Sequence, residues 1–220
     1  MSNRPIFFTA TGTDIGKTHV LCALLEAQRA RGQAAKVLKP VLSGFDAAAL
    51  EGTDTVRLLL ANGQDLSIET IDAITPWRFK PALSPDMAAR RSGVSLRLEA
   101  IIDWCLDAIA RDRPTIIEGA GGVMSPIAED GLNLDLIREL DAHPVLVAGG
   151  YLGTISHTLT ALRVLDGRAS IILNPWGETP VPIEETRDAL QRFAPRARIH
   201  VFDPADTSNL LEVIDGNNSD

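Results

Sequence analysis

The run from Phe7 to Leu21, FFTATGTDIGKTHVL, passes from aromatic and β-favouring residues through two glycines into a helical pattern beginning near Thr18. The order is strand, tight loop, helix. It aims a row of backbone N–H groups, and the positive end of the following helix, at one point in space. Gly16-Lys17-Thr18 is the end of a phosphate-binding loop, in which the lysine neutralises the β/γ-phosphates and the next hydroxyl ligates magnesium. The usual spacing wants a glycine five residues before Gly16. That position is Thr11, and a glycine stands one residue later, at Gly12. Gly12 and Gly16 can still supply the backbone freedom, so the loop is expected to take an atypical path.

The rest of the chain repeats the alternation. Short apolar runs at 5–11, 34–41, 115–120, 143–150, 169–174 and 197–202 read as strands, separated by helical patterns near 18–31, 53–62, 96–111, 133–141, 155–166, 184–193 and 206–215. Near-continuous apolar strands are those covered by helices on both faces. The expectation is an α/β fold: a doubly wound, mostly parallel sheet flanked by helices, of the P-loop NTPase type. All 220 residues fit one such domain. Residues 62–93, with Pro76, Pro81 and Pro85, are expected to form an irregular excursion on the substrate side, with a helical turn or two in SPDMAARRSG. The tail 216–220, GNNSD, is expected to fray.

Composition narrows the function. A net charge of -8 argues against a broad nucleic-acid surface, although a few lysines and backbone amides suffice to hold a phosphate. No apolar run approaches the ~20 residues needed to span a bilayer, and no secretory pattern precedes the first strand, so a cytoplasmic protein without membrane or nucleic-acid partners is expected. Cys22 and Cys105 stand apart, without a CxxC or a histidine cluster, and read as small buried hydrophobes.

In open α/β sheets ligands sit beyond the carboxyl ends of the strands. There this chain carries Lys17 and Thr18, then Lys39, Ser43 and Gly44, then Glu118 with GAGG, then Gly149, Gly150 and Gly153, and finally Asn174. Glu118, at the end of a buried strand, suits a metal ligand or base, and the small residues after it let a ligand approach. Lys39, ending KVLK ahead of Pro40, suits charge stabilisation on a transferred phosphoryl group. Asp54 reads equally as a helix cap. The glycine-rich turn before the helix at Thr154 reads equally as a carboxylate site or an ordinary connection. His157, without a paired acid, reads as structural.

Taken together the segments resemble the dethiobiotin synthetases. The family loop has the form TGTDTxVGKT; TATGTDIGKT aligns with it without a gap, ends identically and shares the absence of glycine at Thr11. KPVLSG (39–44), Asp54, EGAGGVMSP (118–126) and LGTISHTL (152–159) follow in family order, so the likeness runs from residue 5 to about 175. Departures are Ala10 for a glycine, Gly12 for a common aspartate, Val123 for a frequent aromatic, Ser156 for a common asparagine and Asp86 for a histidine. Divergence is greatest beyond Asn174.

The resemblance implies an ATP-dependent cyclo-ligase, dethiobiotin synthase, that forms C–N bonds from 7,8-diaminopelargonate, CO2 or bicarbonate, and ATP. It implies Mg2+ on Thr18, Asp54 and Glu118, and nucleotide on Thr13, Asp14, Ile15, Gly16, Lys17, Thr18 and Asn174, the last reading adenine. Lys17 and Lys39 are the implied catalytic residues. Ser43 and the amides of Gly153, Thr154, Ile155 and Ser156 would bind substrate near a homodimer interface. Two other readings stay open. Switch ATPases of similar architecture carry a signature lysine where this chain has Gly12, and a related ligase acting on another small amine fits Ser156 and Asp86.

Overall fold

The structure, a computed structural model, describes residues 4–177 and 179–215. The chain opens with β1 (Ile6–Ala10), α1 (Lys17–Ala30), β2 (Lys36–Leu38) and β3 (Val41–Ser43), followed by α2 (Asp54–Ala61), α3 (Ile68–Ile74), β4 (Trp77–Phe79), α4 (Pro85–Arg91) and α5 (Leu98–Ala108). It continues through β5 (Thr115–Glu118), β6 (Pro126–Ala128), β7 (Gly131–Leu132), α6 (Asn133–Glu139), β8 (His143–Gly149) and α7 (Thr154–Val164). β9 (Ser170–Asn174), α8 (Ile183–Phe193), β10 (Arg198–Val201) and α9 (Ser208–Asp215) complete it.

Six strands form one parallel sheet in the order β10-β9-β8-β1-β5-β2. Its strands alternate between two cores. Ile6, Phe8, Ala10, Val145, Val147 and Ile172 face α1, α2, α3 and α9, whereas Phe7, Leu146, Ala148, Ile171 and Leu173 face α5, α6, α7 and α8. Phe7 and Phe8 are fully buried, one on each side; each contributes about 2–3 kcal/mol by removal from water. This is the doubly wound α/β class expected from the alternation of apolar strands and helices.

The order of the strands positions the site. From β1 the chain crosses by α1 to β2 on one flank, beyond β5, while β8, β9 and β10 lie on the other flank. The carboxyl ends on either side of β1 are therefore where the winding reverses, and a crevice opens there.

Residues 62–93, expected to be irregular, hold α3, β4 and α4. Pro40 ends the run at 34–41: the chain leaves the main sheet after Leu38, and β3 pairs in parallel with β4 as a separate ribbon. α3 is started by Ser67, whose side chain accepts from the Thr70 N–H while Thr70 returns the bond in a capping box. The tail 216–220 lies outside the described residues.

Cys105 is buried on α5 and Cys22 half-buried on α1. Burial pushes both thiols up to about 12. Thiolate is the reactive form, so iodoacetamide at mildly alkaline pH should leave both unmodified in the folded protein and label both in guanidinium. Mass spectrometry reads the result, and rapid labelling of native protein would contradict this burial.

Candidate functional site

The loop after β1 turns at Asp14 and Gly16, both with left-handed backbone (φ 58° and 81°). Gly16 is required twice over: a Cβ there would strain the backbone and lie 2.2 Å from Nδ2 of Asn174. That nitrogen donates to the Ile15 carbonyl at 2.9 Å. Asn174, expected to read adenine, thus commits one amide N–H to bracing the loop, and it is 2% exposed. α1 begins at Lys17 without a side-chain cap, leaving its first N–H groups for a ligand.

Glu118 ends β5 opposite Phe8, on the same sheet face as Ile116 and hence toward α1. Its Oε1 accepts from Lys17 Nζ at 2.8 Å, Thr18 Oγ1 at 2.9 Å and Lys39 Nζ at 2.7 Å. Lys39 also donates to the Gly119 carbonyl at 3.0 Å and stands 3.5 Å from Asp54 Oδ2. Two strand ends and a helix start therefore deliver two ammonium groups and a hydroxyl to one carboxylate oxygen. Burial alone would raise the Glu118 pKa, but Lys17 and Lys39 outweigh it and hold the group at about 2. Burial lowers Lys17, whereas for Lys39 the carboxylates of Glu118 and Asp54 overcome burial and raise it. The cluster is a charged one, with Glu118 ionised.

The competition at the start of α2 is decided by geometry. Thr53 is the cap, accepting from the Val56 N–H, and Asp54 is left free to face Lys39. The second oxygen of Glu118, Oε2, is buried without a hydrogen-bond partner among the described residues, as is Ser43 Oγ. Ser43 is on the wall of the cleft beside the phosphate loop, so its hydroxyl is available to a ligand there.

Lys17, Thr18, Lys39, Ser43 and Asp54 border a cleft of about 780 Å³ lined by Gly12 to His19, Ser84, Ala120, Gly121 and Trp176 among others, while Glu118 is fully buried behind its wall. The glycines after Glu118 divide their tasks. Ala120 and Gly121 face the cleft, while a Cβ on Gly119 would meet the Phe7 ring at 2.7 Å, so that glycine serves internal packing.

Gly153, Thr154, Ile155 and Ser156 are not on the wall of this cleft. They start α7, with Gly153 as a left-handed cap (φ 95°). Tyr151 ties this region to the loop, sharing hydrogen bonds with Thr11 Oγ1 at 3.2 Å and with His157 Nδ1 at 2.9 Å. His157 thus buttresses Tyr151. Residues 82–85, from the stretch expected on the substrate side, do line the cleft. Trp176 and His19 line it too and were not singled out from the sequence. The available signal was a tryptophan in NPWG directly after a strand, where no periodic pattern buries it.

Fold and loop together define a P-loop nucleotide-binding α/β protein, and the AAA domain family model matches residues 4–206. The ATP-dependent dethiobiotin synthetase of Acidiphilium cryptum is 43% identical over 192 residues, covering 84% of this chain and 86% of that protein. Its counterpart from Caulobacter vibrioides strain NA1000 is 43% identical over 202 residues, 89% and 90% of the two chains. That of Phenylobacterium zucineum is 46% identical over 168 residues, 76% and 72%. The chain belongs to the dethiobiotin synthetase family.

Proposed function

We propose that the protein is an ATP- and Mg2+-dependent dethiobiotin synthase that carboxylates 7,8-diaminopelargonate with CO2 and closes the ureido ring, releasing ADP and phosphate. The observation that carries this reading is the convergence of Lys17, Thr18 and Lys39 on buried Glu118 at the mouth of the phosphate loop. Relatives matching most of the chain are ATP-dependent dethiobiotin synthetases, which supports ATP as co-substrate and dethiobiotin as product; the diamine is what the family resemblance implies.

In the first step an amine of the diamine adds to CO2, losing a proton to form a carbamate. A carbamate oxygen then takes the γ-phosphoryl group, giving a carbamic–phosphoric anhydride and ADP. The second amine attacks the carbonyl carbon and expels phosphate, closing the ring. Little covalent work falls to the protein; catalysis rests on alignment and on neutralising charge. The loop amides of Thr13 to Thr18 and the Lys17 ammonium bind the phosphates. Lys39 faces the carbamate and the transferring group, and Ser43 hydrogen-bonds the carbamate or an amine.

Mg2+ fits Thr18, Asp54 and Glu118: a hydroxyl, a freed carboxylate and the orphaned Oε2. Among the described residues no cluster of three or more His, Cys, Asp or Glu gathers to hold a metal alone, so phosphate and water oxygens would complete the ion's shell. When bound it supplies charge neutralisation across the phosphates.

The substrate carboxylate goes to the α7 amides of Gly153 to Ser156 across a homodimer interface, as the family resemblance implies. The enzyme works in the cytoplasm; no helix among the described residues is long and apolar enough to cross a membrane.

The test is incubation with ATP, Mg2+ and bicarbonate, with and without 7,8-diaminopelargonate, scoring dethiobiotin by mass spectrometry and ADP in parallel. Dethiobiotin formed one-for-one with ADP, only with the diamine present, is the expected result. ADP without dethiobiotin would replace this substrate by another amine.

A further inference from the structure

Three aromatic rings run in contact from the core to the rim of the cleft. Phe202 is 2% exposed; His19 lies edge-on to it at 5.3 Å; Trp176 lies 5.2 Å beyond His19, tilted by 51°, and is 63% exposed. His19 directly follows Thr18 on the first turn of α1, and the Trp176 Cβ lies 4.0 Å from the place a Gly16 Cβ would occupy. The indole therefore stands immediately beside the phosphate loop, on the wall of the same cleft. Burial does not require it there. A large apolar ring left open at the edge of a polar cleft offers a face to a ligand.

Sheet order decides which part of a nucleotide meets it. Trp176 follows β9, which lies on one flank of β1, while Lys39 and Ser43 follow or belong to β2 and β3, reached from the opposite flank. With the phosphates seated on the loop after β1, the reacting terminus points toward Lys39, and the base falls on the Trp176 side. Asn174, the polar side chain at the end of β9, already donates its Nδ2 to the Ile15 carbonyl.

Resting on the nucleotide reading of this cleft given above, we propose that Trp176, backed by His19, is the platform on which the nucleobase stacks. The base is held by its π face rather than by side-chain hydrogen bonds, so purine and pyrimidine triphosphates are accepted with similar affinity. Every base presents such a face, and stacking discriminates weakly among them.

Calorimetric titrations of ATP, GTP, CTP and inorganic tripolyphosphate, all as magnesium salts, test this on the wild type, Trp176→Ala and Trp176→Phe. In the wild type the three nucleotides should bind within about tenfold of one another. Trp176→Ala should weaken each by about tenfold or more and leave tripolyphosphate unchanged, while Trp176→Phe keeps most of the affinity. Equal losses for nucleotides and tripolyphosphate in Trp176→Ala, or no loss for either, would overturn the proposal. So would a wild type that prefers ATP to CTP by more than about a hundredfold, the mark of hydrogen-bonded readout. If the wild type binds neither tripolyphosphate nor ATP, the phosphate cradle itself is wrong, and the platform falls with it.

Discussion

Lys39→Ala should lower kcat by about 10²–10³-fold while leaving the dissociation constant for ATP nearly unchanged. The asymmetry follows from where the two lysines sit. Lys17 opens α1 on the wall of the cleft, and in the proposed reaction it meets charge that the nucleotide already carries in the ground state. Lys39 ends the β2 segment on the flank away from the aromatic platform, 2% exposed and held by Glu118 and the Gly119 carbonyl. Its charge gains most when negative charge gathers on the transferring group, so its loss falls on the transition state. Lys17→Ala should instead abolish measurable turnover through lost nucleotide binding. Steady-state kinetics paired with calorimetry separates the cases. A Lys39→Ala enzyme whose affinity falls as much as its rate would make Lys39 a uniform binder, and turnover retained by Lys17→Ala would remove the phosphate loop from the mechanism.

What could be read in the sequence was whatever leaves a periodic or chemical trace. The central strands β1, β5, β8 and β9 are apolar almost throughout because both faces are covered, and all six main strands emerged within a few residues of their observed limits. β3, β4, β6 and β7 are two or three residues long, too short to show a period of two. α3 had a capping signal in Ser67 and Thr70 but only seven residues of pattern. Gathering polar residues at strand ends brought Lys17, Thr18, Lys39 and Glu118 into view together, since a parallel sheet carries all such ends to one edge. Directions within that edge were not legible. The identity of Thr53 as the cap, the turning of Asn174 toward Ile15, and the separate packing task of Gly119 depend on which way a single group points. Trp176 was missed because loop residues carry no period, and its contact with His19 joins positions far apart in the chain.

Glu118→Gln should be the most destabilising single change in the site, by about 3–5 kcal/mol, because it removes the carboxylate that two buried ammonium groups share and leaves Lys39 only Asp54 at 3.5 Å. For a chain of this length that is a fall in Tm of roughly 6–20 °C. The pH dependence has a definite sign. Glu118 titrates at about 2 in the folded protein, below its ordinary value of 4.5. Its contribution is therefore complete above pH 4.5 and is lost as pH falls from there toward 2, and the glutamine variant should lack that part of the acid slope. If the penalty comes from uncompensated charge, Lys39→Met placed in the Glu118→Gln background should restore stability rather than subtract further. Inorganic tripolyphosphate should likewise raise the Tm of Glu118→Gln more than that of the wild type, since in the variant both lysines have lost the Glu118 charge, which phosphate would replace. Thermal melts of the two single variants and the double variant decide it. A Glu118→Gln protein as stable as the wild type, or a double variant less stable than either single one, would show that Glu118 does not compensate the lysines, and the charge cluster would lose its place as the common basis of folding and phosphate binding.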